Sequence, residues 1–162
     1  MSDEIYEFLI SNEKKHISIG EIAPDLQNRT FIINGFAKAW AMTGWRLGWI
    51  TGPPALIPIL EKLTEYNVAS PPTASQHAGV TAVREGERFM KEMVQKYKVA
   101  RDTIQQRLGS MSRVTMPRPD AAFYAFFRIE GVADSRAFAK KLLEETKVGL
   151  APGIAFGEGG EE

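Results

Sequence analysis

Two side chains in the run Asn34 to Pro53 have the types and spacing for chemistry. Lys38 stands among small and aromatic residues, with no acidic residue between Asp25 and Glu61. Apolar surroundings strip water from an amine and so favour its neutral, nucleophilic form. Arg46 follows eight residues later. Its positive charge acts on the lysine in the same direction, and its planar fork suits a phosphate. A lysine that gives up its proton near an arginine that holds a phosphate is what a Schiff base to pyridoxal phosphate requires. A lone Lys beside a turn would be ordinary solvated surface, so the weight rests on the residues around the pair.

Those residues make the pattern specific. Asn34-Gly-Phe-Ala-Lys38, followed by Ala41-Met-Thr-Gly-Trp-Arg-Leu-Gly48, resembles the cofactor-lysine motif of the class I/II aminotransferases, the aspartate aminotransferase-like enzymes of fold type I. The resemblance implies that Lys38 is the catalytic residue and covalent anchor of pyridoxal 5'-phosphate, and that Arg46 binds the cofactor phosphate. Ser2-Asp-Glu-Ile-Tyr-Glu7 resembles a second family motif, which ends a core strand some thirty-five residues before the lysine; Lys38 lies thirty-five after Asp3. This assigns Asp3 to the pyridine nitrogen and Tyr6 to the phenolic oxygen of the cofactor. A carboxylate there keeps the ring nitrogen protonated, and the ring can then accept carbanion charge. Taken alone, an acidic N-terminus with one Tyr reads as a solvated tail.

Further along, Pro119-Asp-Ala-Ala-Phe-Tyr124 resembles the family's Pro-x-Gly-Ala-Phe-Tyr, and Pro152-Gly-Ile-Ala-Phe-Gly157 its Pro-Gly-x-x-Phe-Gly. The resemblance therefore covers essentially the whole chain. The sequence departs from the pattern in two places. Gly35, Phe36 and Ala37 stand where many relatives carry a hydroxyl residue before the lysine, and Ala121 replaces a usual Gly. The first removes a hydrogen bond to phosphate of about 1.5–3 kcal/mol unless another group supplies it. The second bears on any need for positive φ or close backbone approach there.

The elements that must position these residues read as follows. Ser11 to Arg29 is polar, with Gly20 and Pro24 as breakers, and reads as a surface loop holding one short helix. Thr30 to Ile33 is a β-branched run leading into the lysine loop, and Trp45 to Thr51 a second strand stopped by Gly52-Pro53-Pro54. Apolar residues at Leu56, Ile59, Leu60 and Leu63 mark a helix from Ala55 to about Tyr66, with Pro58 in its tolerant first turn. Thr73 or Ser75 is expected to cap the next helix, which ends near Gly86. Its His77 has no second His nearby and receives no role. Glu87 to about Leu108 is a long amphipathic helix whose charged face is solvated, not a nucleic-acid site. Arg113–Met116 and Ala122–Ile129 read as paired strands, Ser135 to about Thr146 as a helix capped by Asp134 or Ser135, and Val148–Leu150 as a short strand.

Composition narrows the class. With 162 residues, 44% apolar and 25% charged, the chain is long enough to bury a core and is not of disordered composition. Lys+Arg and Asp+Glu number 20 each, so no net charge points to nucleic acid or an anionic membrane. The longest apolar run, Ala121 to Phe127, is too short to span a bilayer. The absence of Cys leaves no disulfide or thiolate metal site, and no metal site is expected. The acidic N-terminus lacks an export signal, so a cytoplasmic location is expected.

The expected architecture is α/β: residues 1–86 as part of a large cofactor-binding domain with its connecting helix, and residues 87–162 as a smaller α+β C-terminal domain. The resemblance implies an aminotransferase, moving an amino group between an amino acid and a 2-oxo acid, and a homodimeric full-length parent. Relatives are considerably longer, carrying further cofactor residues upstream and a substrate-carboxylate arginine downstream. The chain is accordingly expected to be an internal fragment, inactive alone. A carbon–sulfur β-lyase on the same scaffold, or a non-catalytic remnant, are the competing expectations.

Overall fold

The computed structural model describes residues 1–11 and 14–161. Packing divides the chain into two units, 1–100 with 119–123, and 101–118 with 124–162. Helices and a mixed sheet make up the fold, as the α/β expectation requires.

In the first unit, β1 (Ser2–Asp3), β2 (Ile32–Gly35) and β3 (Gly48–Thr51) form a three-stranded sheet in the order β1-β2-β3. β1 runs parallel to β2 with Asp3 opposite Ile33; β3 runs antiparallel, with Ile32 opposite Thr51 and Gly35 opposite Gly48. The β-branched pair Ile32-Ile33 supplies the middle strand. β3 starts later than the expected Trp45. Thr43–Trp45 form a 3₁₀ turn, and Arg46 takes a left-handed conformation (φ 50, ψ 49) that no strand can contain. Gly48 is needed at the crossing, because a Cβ there would sit 2.8 Å from the Asn34 carbonyl oxygen.

The helix α1 (Ile19–Ile22) is capped by Ser18, whose hydroxyl accepts from the Gly20 N–H, and a 3₁₀ helix over Pro24–Arg29 follows. Both belong to the expected loop of residues 11–29, of which Asn12 and Glu13 lie outside the described residues. α2 (Ile57–Val68) carries Pro58 in its first turn. α3 (Thr73–Glu85) departs from expectation at its start: Pro72 takes the N-cap position and no side chain caps the helix. Ser75 is buried instead, donating to the Trp45 carbonyl at 3.0 Å and tying α3 to the turn before β3. α4 (Glu87–Gly109) meets α3 at Gly86 and runs through the boundary between the units. A Cβ at Gly86 would run into the Ala82 carbonyl and stand 2.7 Å from the Trp40 indole.

In the second unit, β4 (Val114–Thr115) pairs antiparallel with β5 (Arg128–Ile129). α5 (Ser135–Thr146) is capped by Asp134, whose carboxylate accepts from Ala137 N–H at 2.8 Å, and ends at left-handed Lys147. Gly153 and Gly160 approach so closely that neither position has room for a Cβ. Two sequence expectations fail here. The long strand from Ala122 shrinks to Arg128–Ile129, since Ala122 sits at φ 62 and turns the chain out of extended geometry. Val148–Leu150 forms no strand and has no pairing partner among the described residues. No described helix is long and apolar enough to cross a membrane.

Candidate active site

Lys38 lies in the turn that leaves β2. The Phe36 carbonyl accepts from both Trp40 N–H (3.4 Å) and Met42 N–H (3.3 Å), which coils residues 36–42 tightly, with Ala41 at φ 52. The apolar members of the motif anchor this coil. Buried Phe36 packs on Trp40 and Trp49, each with ring centroids 5.2 Å away, and Trp40 meets Phe8 edge-on at 5.6 Å. Trp40 Nε1 is buried without a hydrogen-bond partner among the described residues, so this ring serves packing. Lys38 itself is half-buried, with its ammonium 5.7 Å from the centre of the Tyr6 ring and 5.3 Å from that of Phe123. Such cation–π contacts hold an amine without hydrogen-bonding it away.

Tyr6 and Phe123 reach the lysine by separate routes. The chain turns immediately after β1, with Glu7 N–H bonded to the Glu4 carbonyl and Leu9 N–H to the Tyr6 carbonyl, each at 2.9 Å. Residues 9–11 then pair with 120–122: Ile10 bridges Ala121, Ser11 N–H donates to Asp120 O (2.9 Å) and Ala122 N–H to Leu9 O (2.8 Å). Lys14 adds an ion pair to Asp120. This pairing delivers Phe123, which meets Tyr6 edge-to-face at 5.4 Å and Tyr97 at 5.4 Å.

Asp3 ends β1, exposed, with Oδ1 accepting from Ile5 N–H at 3.2 Å. Arg46 is exposed at the entry to β3, its Nη1 donating to Thr43 O at 2.9 Å. The structure thus brings Tyr6 and Lys38 together. Among the described residues, Asp3 and Arg46 make no hydrogen bond or ion pair with Lys38.

Two residues of this corner escape the sequence reading. Phe123 belongs to the Pro119–Tyr124 motif, but nothing in its spacing marks it as a neighbour of Lys38. Glu4 is the other. Its side chain is buried, 6% exposed, and takes hydrogen bonds from Ser2 Oγ (3.1 Å), Ser18 Oγ (3.1 Å), Ile19 N–H (3.3 Å) and His16 Nε2 (2.9 Å). Burial pushes its carboxyl up, yet the bonds from His16, Ser18, Ser2 and Ile19 more than offset that and hold it below the ordinary value. Glu7 completes a group with Glu4 and His16 whose potential ligand atoms lie within 4.8 Å of one another. The His16–Glu4 hydrogen bond accounts for that proximity.

The sequence matches the family described as aminotransferase class I and II over residues 1–161. The chain belongs to that aminotransferase family. An aspartate aminotransferase of Pyrococcus abyssi is 38% identical over 164 residues, covering 99% of this chain and 42% of that protein. An aromatic-amino-acid aminotransferase 2 of Thermococcus litoralis is 35% identical, with 99% and 42% covered. The crystal structure of an aromatic aminotransferase from Pyrococcus horikoshii superposes with a TM-score of 0.90 at 37% identity, covering 98% of this chain and 43% of that one. This aminotransferase-family chain thus spans about 42% of the length of the curated relatives it matches. The likeness extends through both units and bears out the expected fold class.

Proposed function

We propose that the protein takes part in pyridoxal-phosphate-dependent amino transfer between an amino acid and a 2-oxo acid, with Lys38 as its catalytic residue. The meeting of Lys38 with Tyr6, from turns that leave two neighbouring strands, is the observation that carries this reading. Relatives named for aspartate and aromatic amino acid transfer support it.

The donor set fits the cofactor: a half-buried primary amine, a phenol beside it, an exposed strand-end carboxylate and an exposed guanidinium. When bound, pyridoxal phosphate supplies an electron sink for charge developing at the substrate Cα. Arg46 would hold the phosphate through its charged fork. Asp3 would keep the pyridine nitrogen protonated, and Tyr6 would donate to the phenolic oxygen. Lys38 would anchor the cofactor and move the proton at Cα. The reading includes a cofactor-binding part over residues 1–86, a small domain over 87–162, assembly as a homodimer, and a cytoplasmic setting.

Incubation with pyridoxal phosphate, borohydride reduction and peptide mapping tests the assignment. The adduct is expected on Lys38 alone, and in an enzyme of the relatives' full length that carries this sequence Lys38→Ala should abolish turnover, while Arg46→Ala weakens cofactor affinity. An adduct on another lysine, with Lys38→Ala still active, overturns the reading. Glutamate formed from 2-oxoglutarate marks amino transfer; pyruvate and ammonia without glutamate would mark the β-lyase instead.

A further inference from the structure

We propose that Glu4 is a positioning residue for the Tyr6–Lys38 contact, clamping the end of β1 to residues 16–19 so that the following turn carries Tyr6 over the amine. That this contact belongs to an active site rests on the proposed function; the clamp itself stands on geometry alone.

β1 has only two residues, too few to fix the direction of the chain that leaves it. At that point the backbone bond to the sheet is Glu4 N–H on the Ile33 carbonyl at 2.9 Å, and the Glu4 carbonyl is taken up within the turn by Glu7 N–H at 2.9 Å. The Glu4 side chain supplies what the sheet does not. Oε1 receives Ser2 from within β1, and Ser18 and the Ile19 N–H from the start of α1; Oε2 receives His16. One carboxylate therefore ties together two stretches of chain, residues 2–4 and 16–19, and uses both oxygens to do so. A buried carboxylate is costly unless paired and bonded, so this geometry has one low-energy arrangement and resists sliding. Tyr6 lies two residues beyond the clamp, and its ring meets both Lys38 and Phe123. Releasing Glu4 frees the turn and, with it, the ring above the lysine.

The prediction is readable without cofactor. Lysines of the whole chain are reductively methylated with ¹³C, which keeps their charge, and the Lys38 methyl signal is assigned by its loss in Lys38→Arg. Two aromatic rings near the amine displace that signal from the position of exposed lysines. Glu4→Gln, equal in shape but without the charge, is expected to return most of the displacement. Gly153→Ala, which destabilises the second unit by closing a space that holds no Cβ, serves as the control of similar melting loss and should leave the signal in place. If Glu4→Gln fails to fold, Ser18→Ala removes one donor alone and should move the signal part of the way. A Lys38 signal that stays displaced in whichever of the two folds, or one undisplaced in the unmodified sequence, overturns the proposal. The borohydride mapping fails or succeeds independently of this signal, so the two readings are separable.

Discussion

The end of β1 and the flank formed by β3 and α2 belong to the same unit but are held in opposite ways. At the first, Glu4, Ser11, Asn34 and Ser75 are buried polar groups, each with a bonded partner, beside the aromatic cluster of Phe36, Trp40 and Trp49. At the second, Ile50, Ile57, Ile59, Leu63 and Tyr66 are exposed, Leu63 by 60% and Tyr66 by 81%. An open groove of about 630 Å³ runs there between Ile33, Ile50, Ile57 and Leu60. Few hydrophobic side chains are buried among the described residues; Leu9, Phe36 and Ala39 are the ones, and all three lie at or next to the polar corner. In this chain, the corner is specified by hydrogen bonds and a small core, whereas the flank leaves much of its apolar surface open.

Substitution at the corner should therefore cost most. Glu4→Ala leaves the donors of Ser2, His16, Ser18 and Ile19 without their acceptor, and is expected to lower stability by about 3 kcal/mol in chemical denaturation. The same carboxylate gives a pH signature. Its folded value lies below the ordinary 4.5, so its contribution is complete above the unfolded value and is lost as pH falls through the folded one. The melting temperature should fall in acid, between about pH 5 and pH 3, and fall less steeply in Glu4→Gln. Equal slopes in the two proteins would remove Glu4 from the account.

Next in size is Gly86→Ala, where the added methyl meets the Ala82 carbonyl and the Trp40 ring. Neither neighbour is the loose end of a flexible chain. Overpacking of this kind costs about 2 kcal/mol, against which the gain in helix propensity of up to about 1 kcal/mol works. A measured stabilisation would show that Trp40 is free to move and that the aromatic cluster is not a fixed support for the lysine turn.

The elements were legible where a single local pattern determined them. The apolar repeat gave α2 and α4, the Asp134 cap gave α5, and Ile32-Ile33 gave the middle strand. The lysine turn was legible because its motif, Asn34 to Gly48, is contiguous. What failed depended on backbone dihedrals or distant partners. The strand from Ala122 looked continuous, yet a positive φ at that residue ends it. Ser75 looked like a helix cap, and its hydroxyl was claimed by Trp45 across the fold. Glu4 and Phe123 were missed for the same reason: their roles arise from loops that meet in space, and no periodicity in the sequence marks such a meeting.

Ala122 turns that failure into a smaller test. A non-glycine residue at φ 62 carries strain of about 1 kcal/mol. The family pattern that the sequence resembles has its glycine one position earlier, at Ala121, whereas the left-handed residue is Ala122 itself. Ala122→Gly relieves the strain and loosens the unfolded chain, for a net stabilisation of roughly 0.5 kcal/mol. Ala121→Gly has no strain to relieve and should destabilise by a similar amount. The reverse order in urea titrations would place the strain at the wrong residue.

The smallest effect is expected on the bare flank, and it sharpens the comparison because the residue type alone would suggest otherwise. Leu63 is apolar, lies on α2 and occurs at a core-like helical spacing, so a reader of the sequence would expect Leu63→Glu to break the fold. In the structure its side chain is mostly in water, and substitution there should change stability by no more than about 0.5 kcal/mol. The charge should instead act between molecules: an apolar face carrying Ile59, Leu63 and Tyr66 favours association, and a carboxylate at its centre opposes it. Light scattering at rising concentration should show less association in Leu63→Glu, with an unchanged denaturation midpoint. A large drop in the midpoint would mean that this face is covered within the folded protein, and the contrast between corner and flank would then disappear.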